Sequence, residues 1–108
     1  MNWKLWIDDE AFDEGKPYRN PPEGYFAAIN VEDAIKITKI LKSPPEFLHL
    51  DHDLGKGPNV MEYLKFLFEA YPTKCPEYIV HSANCVGRDN IISYLDSWKK
   101  SLDLKERV

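Results

Sequence analysis

The side chains with which this chain could move a proton or hold an anion cluster at the ends of three short apolar runs. Asp8-Asp9 close Lys4 to Asp9 (KLWIDD). Asp51, His52 and Asp53 fall late in Phe47 to Gly55 (FLHLDHDLG), and His81-Ser82 close Glu77 to Ser82 (EYIVHS). Two unit charges about 4 Å apart repel by about 4 kcal/mol in an effective dielectric of about 20. Carboxylates converging from two of these runs therefore call for a cation, a raised pKa or a neighbouring arginine. Asp8, Asp9 and Asp51 are hard oxygen donors of the type that suits magnesium or calcium. His52 and His81 supply imidazoles, which titrate near neutrality and are the commonest general acids and bases. Such a pair can deprotonate a water and protonate a leaving alkoxide, the two transfers needed to hydrolyse a cyclic phosphodiester. Arg19 stands in a proline-rich stretch (PYRNPP) and Arg88 follows Gly87 near a helix start. Guanidinium groups bind phosphate oxygens bidentately, and a helix N-terminus favours anions. Ser82 and Asn84 add a hydroxyl and an amide, so Arg19, Ser82, Asn84 and Arg88 are the expected phosphate-binding set. No glycine-rich phosphate loop and no G-x-S-x-G elbow is present.

The elements that must position these groups follow from periodicity. Leu5-Trp6-Ile7, Phe26 to Ile29, Phe47 to Gly55 and Glu77 to Ser82 read as strands. Residues Glu10 to Gly24, rich in proline and glycine, read as a long loop, which inside a small domain is usually functional. Asn30 is placed to cap a helix from Val31 to about Lys42, with Glu32 and Asp33 in its first turn. Its expected inner positions are Ala34, Ile37 and Leu41, with Ile40 alongside, and Pro44-Pro45 stop it. Asn59 with Glu62 resembles a capping box for a second helix to about Tyr71, inner face Val60, Met61, Leu64, Leu67, Phe68 and Tyr71. A third helix opens between Asn84 and Asp89, with Ile91, Ile92, Leu95 and Trp98 inward. His49, inside its strand, reads as a core or interface residue. Strands alternating with helices imply a parallel sheet. In such sheets ligands bind at the carboxyl ends of the strands.

Composition narrows the function classes. The 108 residues suit one domain spanning 1–108, with 44% hydrophobic and 30% charged residues. The formal net charge of −4 argues against general DNA or RNA affinity, which rests on neutralising phosphates. No run of about 18 apolar residues predicts a membrane span, and the N-terminus lacks a signal core. Cys75 and Cys85 read as free thiols of a cytoplasmic protein.

Paired acids after the first strand, Asp51 or Asp53 after a central strand and Ser82 after the next resemble a response-regulator receiver domain. The departures are specific. The loop Glu10–Gly24 takes the place of the first receiver helix, no final strand with the receiver lysine follows Trp98, and both histidines are foreign to signalling receivers. WIDDE, Arg19, LDHDLG and HSANCVGR are instead similar to the cyclic-phosphate-processing receiver-like domains, over nearly the whole chain. That resemblance implies an α/β, three-layer receiver-like (flavodoxin-like) fold with a parallel sheet of four to five strands and the first helix replaced by a loop. It also implies a phosphoesterase, or a binder, of a cyclic phosphate such as a cyclic nucleotide or a 2′,3′-cyclic RNA end. In that reading Asp8, Asp9 and Asp51 hold a divalent cation such as magnesium or orient the histidines. His52 and His81, with Asp51 and Asp53, do the catalysis. The family occurs in bacteria and phages, so a cytoplasmic location, host cytoplasm for a phage protein, is expected. The competing expectation is a non-catalytic module that sequesters a nucleotide or binds a host protein partner. Asp51 and Asp53 share one side of an extended chain and His52 takes the other, so all three reach one ligand only where the strand bends.

Overall fold

The computed structural model describes residues 2–11, 13–15, 17–51, 60–81 and 85–106. Four strands, β1 (Lys4–Ile7), β2 (Tyr25–Ala28), β3 (Phe47–Asp51) and β4 (Glu77–His81), form one parallel sheet in the order β2-β1-β3-β4. Three helices follow the later strands: α1 (Val31–Leu41), α2 (Val60–Ala70) and α3 (Cys85–Glu106). This is a receiver-like, flavodoxin-like α/β fold. No helix among the described residues is long and apolar enough to cross a membrane.

Alternation along the strands decides which face is core. Leu5, Ile7, Ala28, Leu48 and Leu50 are buried, and they are brought level by the register Leu5↔Leu48 and Ile7↔Leu50. They join Val31 and Ala34 of α1, Val60, Leu64 and Leu67 of α2, and Ile91, Leu95 and Trp98 of α3 in one cluster. All three helices therefore pack on the same face. The chain steps one way along the sheet from β1 to β2 and the other way from β2 to β3 and on to β4. Right-handed crossovers then send the β1–β2 connection, residues 8–24, across the opposite face. Among its described residues it holds one short 3-10 turn, Pro17–Arg19, where receivers carry their first helix. Its Ala11 is buried, apart from the main cluster.

Local chemistry sets the helix limits. Asn30 Oδ1 accepts from Asp33 N at 2.8 Å, the expected cap of α1. Lys42 ends that helix in the left-handed region, at φ 56°, its N–H donating to Thr38 O at 2.9 Å. The buried stripe of α1 is Val31, Ala34 and Thr38, while Ile37 and Leu41 are half-buried and Ile40 is exposed. Ile40 was expected beside the inner face, but it lies about 200° round the helix from Thr38. α3 takes in the C-terminal stretch as far as Glu106, and it is tied to β4 by Lys99 Nζ on Glu77 Oε2 at 2.7 Å and by Tyr78 on Asp96.

Thr38 is buried without cost because its hydroxyl is fully used. It donates to Ala34 O at 2.8 Å and accepts from Tyr63 Oη at 2.8 Å, joining α1 to α2. The two partners are not equivalent. Tyr63→Phe leaves Thr38 bonded to Ala34 and is expected to cost about 1 kcal/mol. Thr38→Val strands a buried phenol and is expected to cost about 2–3 kcal/mol. Urea midpoints of the two variants check the order.

Acidic protons that the fold holds tightly also set an alkaline limit. Burial pushes the Cys75 thiol up to about 11 and the Tyr78 phenol up to about 12. Burial raises the Tyr63 phenol further still, its bond to Thr38 opposing. The folded state holds these protons more tightly than the unfolded chain. Their contribution to stability is thus present below about pH 9 and is lost as pH climbs through about 12. Urea midpoints measured at about pH 8 and about pH 11 should fall with alkalinity, and Cys75→Ala should blunt the early part of the fall.

Candidate functional site

The register levels three of the predicted site residues at the carboxyl edge of the sheet. Asp51 and His81 are direct partners, the last residues of β3 and β4. Ile7 pairs with Leu50, so the next residue, Asp8, reaches the same row from β1. Asp8 is 2% exposed. Its N–H donates to Ala28 O at 3.0 Å and its Oδ1 accepts from Glu10 N at 2.9 Å. That second bond is an Asx turn, which bends the chain out of β1 and satisfies part of a buried carboxylate. Asp9, next in the turn, is exposed.

The phosphate-binding candidates divide. Arg19 ends the 3-10 turn in the connection that replaces the first receiver helix. Arg88 is the fourth residue of α3 and is exposed, with Nε 3.8 Å from Asp89 Oδ1. His52, Asp53, Ser82 and Asn84 lie outside the described residues, and so does the question of whether the chain bends beyond Asp51.

Two residues back from Asp8 and Asp51 sits a pair that strand-by-strand reading did not join. Trp6 and His49 are register partners whose rings stack at 3.7 Å and 8° from parallel. Tyr25 meets Trp6 edge-on at 5.7 Å and Phe47 edge-on at 6.4 Å. His49 is thus a packed sheet residue rather than an edge residue. The available signal was its spacing of two from Asp51, matched by the spacing of Trp6 from Asp8.

Asp8, Asp9 and Asp51 offer the hard oxygen donors that magnesium prefers, from adjacent strands at one sheet edge, so the donor chemistry fits a divalent ion. Among the described residues no group of three or more His, Cys, Asp or Glu side chains is gathered closely enough to hold a metal.

A parallel sheet of order β2-β1-β3-β4, with acids and an imidazole at its carboxyl edge, defines a receiver-like α/β domain. The sequence profile of the cyclic-phosphate processing receiver domain matches residues 3–97, and the chain belongs to that family. No curated protein and no solved structure matches the chain significantly.

Proposed function

We propose that the chain hydrolyses a cyclic phosphodiester, as in a cyclic nucleotide or a 2′,3′-cyclic RNA end. The observation that carries the reading is the row formed by Asp8, Asp51 and His81 in a domain of a family tied to cyclic-phosphate processing. The ring of a cyclic phosphate has two ester oxygens on one phosphorus. Opening it forms one P–O bond from water and breaks one P–O bond to the sugar. One imidazole of His52 and His81 takes the water proton, and the other gives a proton to the departing alkoxide. Arg19 and Arg88, with Ser82 and Asn84, hold the phosphoryl oxygens. Asp51, with Asp53, orients the two imidazoles and stabilises the protonated ring. Asp8, Asp9 and Asp51 are the residues that would hold a divalent ion, which would supply charge neutralisation at the phosphate.

The test is incubation with 2′,3′-cyclic and 3′,5′-cyclic nucleotides, with magnesium or with chelator, followed by chromatography. Ring-opened monophosphate is the expected product. Recovery of every ligand unchanged would defeat the hydrolytic reading, and retention of unchanged ligand on the protein would replace it with sequestration.

A further inference from the structure

β4 ends the sheet with an open edge. Glu77 N donates to Glu46 O of β3 at 3.0 Å, which fixes the phase of that ladder. Glu77, Ile79 and His81 exchange main-chain bonds with β3, so the N–H and C=O of Tyr78 and Val80 point away from the sheet. Among the described residues those outward groups meet no main-chain partner. The opposite edge differs, because β2 spends the outward N–H of Tyr25 on Pro22 O, at 3.4 Å. Natural edges are usually blunted by lysine, proline or a bulge. Within Glu77–His81 there is no lysine, no proline and no break in register.

We infer that β4 pairs with β4 of a second copy of this chain, antiparallel about a two-fold axis at Ile79, to make a continuous eight-stranded sheet. The strand is complementary to itself in that register. Tyr78 lies opposite the partner subunit's Val80, and Val80 opposite the partner's Tyr78. Both are outward-facing positions, as a hydrogen-bonded antiparallel pair requires. Ile79 meets the partner's Ile79 at the axis, a non-hydrogen-bonded position where Cα atoms approach to about 4.5 Å. Ile79 is 52% exposed on the face that carries no helix, an apolar side chain that this contact covers. At the ends of the paired segment Glu77 stands opposite the partner's His81. The closed two-fold leaves no open β4 edge for further growth.

Sedimentation of the full chain over a range of concentrations tests this, without substrate and so independently of the phosphoesterase reading. The wild type is expected to dimerise. Ile79→Lys and Ile79→Glu, changes at an exposed site, are each expected to sediment as folded monomers, because each places like charges at the axis. Mixing the two variants is expected to restore a dimer containing one of each, which only a contact of position 79 with itself produces. Circular dichroism checks that both variants are folded. A wild type that stays monomeric throughout, or a dimer that survives both substitutions unchanged, would overturn the assignment.

Discussion

His81→Asn is expected to lower the rate of cyclic-phosphate hydrolysis by about 10²–10⁴-fold, the usual worth of a positioned proton-transfer group. Asparagine keeps a hydrogen-bonding side chain at the end of β4 but cannot take or give a proton near neutrality. The same change at His52 should have a similar effect. Because both act in one step, the double variant should be little worse than the poorer single one. The loss should appear in kcat with KM nearly unchanged, since the arginines that grip the phosphate remain. The pH–rate profile should lose one limb of its bell in each single variant. Full activity of the double variant would remove both histidines from the mechanism. Circular dichroism and the urea midpoint separate this from misfolding, because β4 closes on β3 through main-chain bonds that the substitution does not touch.

Leu50→Ala is expected to cost about 2–5 kcal/mol, a large share of the roughly 5–15 kcal/mol that holds a domain together. Leu50 is fully buried between Ile7 and Val80, in the row just behind Asp8, Asp51 and His81. Leu48→Ala makes an equally enclosed cavity two residues deeper along β3. The two variants should lose similar stability in urea. They should differ in turnover, measured where both remain folded, because only the Leu50 cavity adjoins the residue that carries Asp51. Equal turnover in the two would show that the edge row is held by its hydrogen bonds alone.

These contrasts turn on which parts of the molecule local sequence could specify. The strand ends at Asp8, Asp51 and His81 were legible because apolar runs stopping in polar residues need only short-range pattern. The Asn30 cap was legible for the same reason: a side-chain oxygen three residues before its N–H donor is a local arrangement. Thr38 and Tyr63 were not placed in the core, since each carries a hydroxyl that becomes cheap to bury only when the other helix supplies its partner. The Trp6–His49 stack was hidden because it depends on the register between β1 and β3, which are some forty residues apart in the chain. The order β2-β1-β3-β4 is likewise tertiary information, and it alone levels the three edge residues.

The first strand lies in the interior of the sheet, with β2 on one side and β3 on the other. A ribosome makes it before either neighbour. Its main-chain groups stay unpaired until Tyr25–Ala28 emerge, and its second side stays open until Phe47–Asp51 emerge. The apolar cover over β4 waits longer, for Ile91, Leu95 and Trp98 of the last helix. Synthesis therefore delivers Asp8 first and the apolar cover over β4 last. The candidate centre cannot take shape on a nascent chain until almost the whole domain has left the exit tunnel.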